Sequence, residues 1–260
     1  MTTPVVDLED GELELVGRVT VASNATFVAR IGGTGGTAVV YKPVAGERPL
    51  WDFPGQTLAR REVAAYAVSE ALGWGVVPRT WLREGPLGPG MVQLWQDPDP
   101  EQDPVDLVDA AAVPAEGWRR VLEGSDQTGR PVALVHEDSA ALRRMAVFDV
   151  LVNNADRKGG HVLPLADGRR LGVDHGVTFH VEPKLRTVLW GWVGEPLDDD
   201  EVAGVARLRA ALDGALGEQL TELLAADEVD ALAGRCDRLA RDGVFPDHES
   251  DMPAVPWPLF

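Results

Sequence analysis

Residues 139–176, SAALRRMAVFDVLVNNADRKGGHVLPLADGRRLGVDHG, carry the pattern that decides the fold. Ser139 is typical of a helix N-cap, and the run AALRRMAVFDVLVNN is apolar nearly all round, which predicts a buried helix. The loop ADRKGG follows it. Two strand-like runs then flank Asp167-Gly168, a dipeptide typical of a two-residue hairpin turn. The stretch therefore predicts a helix, a glycine-rich loop and a hairpin.

The predicted hairpin brings a histidine and an aspartate together. A two-residue turn at positions 167 and 168 places His161 directly opposite Asp174, and the Cβ atoms of opposed residues lie about 5 Å apart. An imidazole and a carboxylate at that distance can share one metal ion. Asp156 lies in the loop just before the first strand, so two carboxylates and an imidazole converge at one end of the hairpin. The alternative is that both aspartates are solvent-facing turn residues and that His161 only starts a strand.

Upstream, residues 13–44 contain three strand-like runs, LELVGRVTV, TFVARI and TAVVYKP, separated by SNA and GGTGG. Their order predicts an antiparallel meander. GGTGG lies between two strands and lacks both G-x-G-x-x-G and Walker spacing, so a hairpin turn is favoured over a phosphate loop. Residues 58–72, LARREVAAYAVSEAL, are rich in strong helix formers and stop at Gly73. Two further apolar runs, VVPRTWL and MVQLW, are strand-like.

An acidic, proline-rich run, QDPDPEQDP, indicates a domain boundary or hinge because so polar a segment cannot be buried in a hydrophobic core. We predict that it divides the chain into residues 1–97 and a mainly helical 105–244, with a hinge at 98–104 and an extended tail at 245–260. The helical part includes the run from Asp198 to Asp242, whose first turn, DDDE, suits a helix N-terminus. The predicted fold class is α+β.

Lysine is scarce in this chain, since only three of the 24 basic residues are lysines. Lys42 ends an apolar strand, where a compact ammonium can contact a phosphate oxygen. Glu62 lies on a largely apolar stripe of the predicted helix. A carboxylate on an inward-facing stripe needs a cation such as Lys42. The alternatives are that Lys42 protects a sheet edge and that Glu62 forms a surface ion pair.

The overall charge excludes some partners. The formal net charge is −18, which weighs against nucleic acid or an acidic membrane surface as the main partner. Cys236 is the single cysteine, so the chain has no internal disulfide and no multi-cysteine zinc site. The first fifteen residues are acidic and lack an apolar signal region, and no apolar run approaches the ~20 residues of a membrane span. We therefore expect a cytoplasmic protein.

Four segments together resemble the phosphatidylinositol 3- and 4-kinase-like superfamily, an atypical protein-kinase-like group, and its small bacterial relatives of actinobacterial type. VYKP with Lys42 is similar to the strand lysine that holds nucleotide phosphates, and REVAAYAVSEALG with Glu62 is similar to its helix partner. ADRKGGHVL with Asp156 resembles the D-R-H-x-x-N catalytic loop, and GVDHG with Asp174 resembles the D-F-G-like metal motif. The match runs from about residue 13 to 180, in the family's order.

The resemblance implies a two-lobed protein-kinase-like fold, with an antiparallel-sheet N-lobe, a mainly helical C-lobe and ATP with Mg²⁺ or Mn²⁺ in the cleft. Lys42 would neutralise the phosphates and Glu62 would orient Lys42. Asp174 would hold the metal ion, and Asp156 would position or deprotonate the acceptor hydroxyl.

The pattern departs from the family at two positions: His161 stands where the family usually has asparagine, and Lys158 where it has histidine. We still expect His161 to bind metal with Asp174, and an imidazole ligand there favours manganese. One alternative is a catalytically impaired nucleotide-binding pseudokinase. Another is a metal-dependent hydrolase that uses Asp156, His161, Asp174 and His175.

Two further segments are expected to contact ATP. The turn at residues 23–26 would cover the phosphates, with Ser23 and Asn24 as binding residues. The strand MVQLW would bind adenine through its backbone, with Trp95 packing nearby; a plain buried strand explains MVQLW equally well.

The expected function is ATP-dependent transfer of the γ-phosphate to an unidentified hydroxyl acceptor. Because of the charge, a protein Ser or Thr or a soluble compound is favoured over a membrane lipid. Autophosphorylation at Thr2, Thr3 or Thr178 is one form of this hypothesis. The oligomeric state is left open.

Overall fold

The computed structural model describes residues 7–20, 24–53 and 55–260. The first sheet has five strands: β1 (Leu13–Arg18), β2 (Phe27–Ile31), β3 (Thr37–Pro43), β4 (Thr80–Gly85) and β5 (Gly88–Leu94). The strands are antiparallel and lie in the order β1-β2-β3-β5-β4. The meander predicted for the first three strands is confirmed.

Strand β3 separates a core face from a polar face, because successive side chains of a strand point to opposite sides of the sheet. Val39 and Tyr41 are fully buried in a small hydrophobic core on one face. Lys42 lies on the other face and pairs across the sheet with Met91 of β5. A short 3-10 turn, Val44–Gly46, follows the strand.

The helix α1 (Leu58–Leu72) has the predicted bounds and ends at Gly73, where φ is 72°. Glycine adopts this left-handed conformation without a Cβ penalty, which explains the helix end. Residues such as Val68 and Leu72 lie in the main hydrophobic core together with residues of the later helices. Helix α1 therefore connects the first sheet to the second half of the chain.

A second sheet was missed by the sequence analysis. It consists of β6 (Val105–Asp109), β7 (Trp118–Ser125) and β8 (Pro131–Glu137), in the antiparallel order β6-β8-β7. The outer strands VDLVD and WRRVLEGS are mostly exposed and contain no continuous apolar run, so their residue pattern does not predict strands. The second half is less helical than predicted in this region.

The buried helix and the hairpin are present, but the hairpin register is not the predicted one. Ser139 caps α2 (Ala140–Val152) by accepting a hydrogen bond from the Leu142 N–H at 3.2 Å. Residues 165–169 join strands β9 (Val162–Pro164) and β10 (Arg170–Gly172). The Leu165 N–H donates to the Arg169 carbonyl at 2.9 Å and closes a loop of three residues, 166–168, which ends at Gly168 with φ 88°. A loop of three residues shifts the pairing by one position.

The predicted direct opposition of His161 and Asp174 is therefore wrong. Val162 pairs with Gly172, and the Val173 N–H donates to the His161 carbonyl at 3.0 Å. A 3-10 turn, Gly159–His161, leads into the hairpin.

The last part of the chain is helical, as predicted, and the tail after it bends at residues 250–252, 254–255 and 257–258. Its helices are α3 (Asp199–Leu212), α4 (Ala215–Leu223) and α5 (Ala226–Asp242), and Asp198 and Glu201 form a capping box at α3. Cys236 is buried, as expected of a small apolar residue. Trp190–Trp192 forms a 3-10 turn whose two indoles are buried.

The α+β fold class is confirmed: the chain has an antiparallel sheet whose third strand carries Lys42 on its polar face, helix α1 after that strand, and the Asp156 loop between α2 and the hairpin. The lobe bounds stay a prediction. In the part of the chain that the structure describes, no helix is long and apolar enough to span a bilayer.

His136, at the end of β8, makes folding sensitive to acid. Its ring is fully buried, its Nδ1 bonds the Glu137 carbonyl at 2.8 Å, and its Nε2 accepts from the Gly191 N–H at 3.0 Å. Burial lowers the pKa of His136 from 6.5 to about 4. The unfolded chain thus takes up a proton that the folded chain excludes, so stability present above pH 6.5 is lost as the pH falls through 4.

We expect the free energy of unfolding of the wild type to fall by about 3 kcal/mol more than that of a His136→Gln variant over this interval. Urea unfolding of both proteins across the interval measures the difference. Parallel pH profiles would contradict the assignment.

Candidate functional site

Lys42 lies at the centre of the candidate site. Its Nζ is 2.6 Å from Glu62 Oε1 and 2.7 Å from Asp174 Oδ1. The three residues come from β3, from α1 and from the segment just after β10. The structure therefore brings together three of the residues that the sequence singled out, although Asp174 is 132 positions from Lys42.

Glu62 is held on both of its oxygens. Its side chain is 2% exposed, and Oε2 accepts the His175 N–H at 2.9 Å. Burial raises the pKa of Glu62, while the Lys42 ammonium opposes that rise. Burial also disfavours the ammonium, but the Asp174 and Glu62 carboxylates outweigh it and raise the pKa of Lys42. Lys42 is therefore a permanent cation.

Arg61, the neighbour of Glu62, fixes α1 against the second half of the chain. Its guanidinium is buried and donates to the Thr178 carbonyl and to Glu228 of α5. It also lies over the Phe53 ring, 5.0 Å from the centroid. Glu62 consequently has little freedom to leave Lys42.

Asp174 is the more open partner. Half of its side chain is exposed, and its backbone has a φ of 62°, an uncommon left-handed conformation for a residue with a Cβ. The Lys42 ammonium lowers the pKa of Asp174, so the carboxylate is ionised. The exposed carboxylate faces the cavity described below.

His161 contacts both acidic segments. Its Nδ1 is 2.9 Å from the Asp156 carbonyl, which only accepts, so Nδ1 carries the proton. Burial lowers the pKa of His161 and favours the neutral ring. Nε2 then offers a lone pair, and it lies 3.5 Å from Asp174 Oδ2. The two residues approach each other despite the one-residue shift of the hairpin.

The pair fits a divalent cation as two of several ligands. A carboxylate oxygen and an imidazole nitrogen, both bearing lone pairs and 3.5 Å apart, leave room for an ion that contacts both. Among the described residues, no group of three or more His, Cys, Asp or Glu side chains is placed to hold a metal ion. Phosphate and water oxygens would have to complete the shell, as Mg²⁺ usually requires.

Asp156 lies in the loop between α2 and the hairpin. Its N–H donates to Asn154 Oδ1 at 3.0 Å, and its Oδ2 is 3.0 Å from Lys158 Nζ. The carboxylate is 30% exposed, so a ligand can reach it. Lys158 therefore places a second ammonium beside the candidate site.

Arg157 is a structural residue of the site that the sequence analysis missed. It is fully buried, and its Nε and NH2 bond both oxygens of Asp149 in α2, at 2.9 and 2.8 Å. Its NH2 also lies 2.7 Å from His175 Nε2, and NH1 donates to the His161 and Val173 carbonyls at 3.2 Å each. One guanidinium thus joins the Asp156 loop to the Asp174 segment. The sequence signal that could have revealed this role was Asp149, because a carboxylate inside an apolar helix needs a cation.

A small cavity of about 20 Å³ lies over the Lys42 contacts, lined also by Asn24 and Glu47. Asn24 Oδ1 accepts the Arg48 N–H at 2.9 Å, and Ser23 lies outside the described residues. Glu47, which the sequence analysis did not single out, caps α1 by accepting from the Leu58 and Ala59 N–H groups. The cavity walls thus come from β3 and the loops beside it, from α1 and from the segment after β10, whereas Asp156 and His161 are not among the lining residues.

Trp95 is not among the residues that line this cavity. It follows β5, is 40% exposed, and its indole N–H donates to Asp97 at 2.8 Å. Strand β5 is partly buried, as the plain-strand alternative requires, and Met91 rather than Trp95 is opposite Lys42.

Comparison with known proteins gives a family but no described activity. No family model matches the chain. The solved structure of the proinflammatory kinase CtkA of Helicobacter pylori is similar with a TM-score of 0.44 and 12% identity, over 93% of this chain and 95% of that one. Protein Rv2133c of Mycobacterium tuberculosis is 52% identical over 263 aligned residues, covering 97% of this chain and 94% of the relative. The chain belongs to the family of Protein Rv2133c.

Proposed function

We propose that the chain is an ATP-dependent phosphotransferase that moves the γ-phosphate to a hydroxyl group. The observation that supports this best is the contact of one ammonium, Lys42 Nζ, with the carboxylates of Glu62 and Asp174. A cation that a buried carboxylate holds at a cavity is suited to bind phosphate oxygens. The Lys42 side chain is 20% exposed and lines the cavity, so a phosphate oxygen can reach its ammonium.

Each residue has a separate role in this proposal. Lys42 donates to a phosphate oxygen while Glu62 keeps its ammonium in place. Asp174 and His161 would hold Mg²⁺ or Mn²⁺, which when bound would neutralise charge on the phosphates. Asp156 accepts the proton of the acceptor hydroxyl, and Lys158 stabilises charge on the transferred group.

The adenine would lie near the end of β5. Trp95 is four residues beyond Met91, the cross-strand partner of Lys42. At 3.3 Å per residue, Trp95 is about 13 Å along the strand from the lysine, comparable with the length of an extended ATP molecule. This spacing supports a role for Trp95 beside the base, with Asn24 at the phosphate end.

The acceptor is proposed to be a protein hydroxyl or a soluble compound, because a net charge of −18 repels an anionic membrane surface. Thr178 is unsuitable as an autophosphorylation site. It is fully buried, and its Oγ1 donates to the His175 carbonyl at 2.7 Å. Thr2 and Thr3 lie outside the described residues.

Incubation with ATP and either Mg²⁺ or Mn²⁺ tests the proposal, with ADP release and phosphopeptides measured by chromatography and mass spectrometry. We expect transfer by the wild type and by Arg30→Met, an exposed residue on the neighbouring strand β2. Lys42→Met should abolish it. Unchanged transfer by Lys42→Met would refute the proposal.

A catalytically impaired nucleotide-binding protein is the second candidate. The ion pair between Lys158 and Asp156 favours it, because one carboxylate oxygen is already engaged. Saturable ATP binding without ADP release or phosphopeptides would select this function.

The hydrolase alternative has less support. His175, one of its four residues, is fully buried, and its Nε2 accepts from Arg157. Activity that survives Lys42→Ala would favour it nonetheless.

A further inference from the structure

The last residues of the chain lie against the Asp156 loop. Residues 186–190 and Gly159 form one surface, called here the tail groove, and residues 253–260 occupy it. The backbone carbonyls of the tail accept five hydrogen bonds there. Arg186 donates from Nε to Pro253 at 3.1 Å and from NH2 to Val255 at 3.3 Å. The Thr187 N–H and the Trp190 indole donate to Ala254 at 3.1 and 2.8 Å, and the Gly159 N–H donates to Leu259 at 2.8 Å.

Phe260 occupies the end of the tail groove that is nearest to Asp156. A Cβ placed on Gly159 would lie 2.3 Å from the Phe260 ring, whereas one on Gly160 would have no heavy atom nearer than 4.0 Å. The ring therefore rests where the loop has no side chain. Gly159 is only three residues from Asp156, the proposed acceptor-binding carboxylate.

The tail groove recognises main chain more than side chains. All the hydrogen bonds above end on tail carbonyls, which a polypeptide of any sequence offers. The tail itself bends at residues 254–255 and 257–258. Residues 251–260, DMPAVPWPLF, contain no Ser, Thr or Tyr, so the segment has no side-chain hydroxyl to receive a phosphate.

We propose that the tail groove is a binding surface for a polypeptide that places an apolar side chain against Gly159, and that the chain's own tail occupies it as a non-phosphorylatable occupant. The binding claim stands on the contacts alone. The inference that polypeptides reach Asp156 along this surface rests on the proposed function.

Fluorescence anisotropy with a labelled DMPAVPWPLF peptide and the full chain tests the binding claim without nucleotide. The tethered tail competes at an effective concentration on the order of millimolar, so the wild type should bind the peptide weakly. Leu259 packs against the main core, whereas the Trp257 side chain is 82% exposed. Leu259→Asp should therefore release the tail and tighten peptide binding at least about tenfold, and Trp257→Asp should not.

A second release variant and two glycine variants keep the test decisive. If Leu259→Asp does not fold, Phe260→Asp, at a half-exposed position, replaces it. Added to the release variant, Gly159→Ala should abolish peptide binding and Gly160→Ala should preserve it. Folded release variants that bind no better than the wild type, or binding unaffected by Gly159→Ala, would overturn the proposal. Either result would leave Lys42-dependent phosphotransfer untouched, so failure of the proposed function is measured separately.

Discussion

Substituting Asp156 with asparagine is expected to lower phosphotransfer by about 10²- to 10⁴-fold, the range for loss of a general base. Asparagine keeps the shape of the side chain but does not accept the hydroxyl proton at an ionised oxygen. The loop should persist, because Asp156 is fixed through its backbone, by its N–H on Asn154 and its carbonyl on His161. ATP binding should therefore be retained.

Rapid-quench rates of transfer, with calorimetric titration of ATP, separate the two effects. Asp167→Asn is the matched control, since Asp167 lies on the exposed hairpin loop and pairs only with Arg169. It should leave both quantities unchanged. An Asp156→Asn enzyme with wild-type transfer would remove Asp156 from the proposed reaction.

Substituting Asp149 with alanine is expected to reduce the free energy of unfolding by about 3–5 kcal/mol. Asp149 and Arg157 are both fully buried, and the aspartate accepts two of the guanidinium's hydrogen bonds. Its removal would leave a buried cation with neutral partners only. Because Arg157 also holds the His161 and Val173 carbonyls, the Asp156 loop and the Asp174 segment should loosen together.

Urea unfolding of Asp149→Ala and of Asp237→Ala measures this effect. Asp237 pairs with Arg209 on the surface and is 59% exposed, so its loss should cost no more than about 1 kcal/mol. Equal destabilisation by the two substitutions would contradict the structural role of the Asp149 and Arg157 pair.

The fold was predictable from sequence where local signals were strong. Helix α1 has the expected bounds because helix formers run without interruption from Leu58 to a glycine that permits the left-handed end. Lys42 and Glu62 could be paired because a carboxylate on an apolar stripe requires a cation. The β6–β8 sheet was not predictable in this way, since its outer strands are exposed and their apolar and polar residues alternate only weakly.

The details of the site depended on contacts that sequence spacing does not determine. The hairpin loop contains one residue more than its Asp167-Gly168 dipeptide suggested, because Gly168 takes the left-handed position at the end of a three-residue loop. Arg157 is adjacent to Asp156 in sequence, yet its role depends on partners in α2 and beyond β10. The capping of the α1 N-terminus by Glu47 likewise depends on tertiary structure.

We expect Lys42, Asp174 and Asp156 to act on one triphosphate. A crystal structure with a non-hydrolysable ATP analogue and Mn²⁺, with the ion located by its anomalous signal, tests this most directly. We expect a phosphate oxygen within hydrogen-bond distance of Lys42 Nζ, Mn²⁺ between Asp174 and His161, and the γ-phosphate facing Asp156. A triphosphate bound away from Lys42, or a chain that binds no analogue at saturating concentration, would contradict the claim.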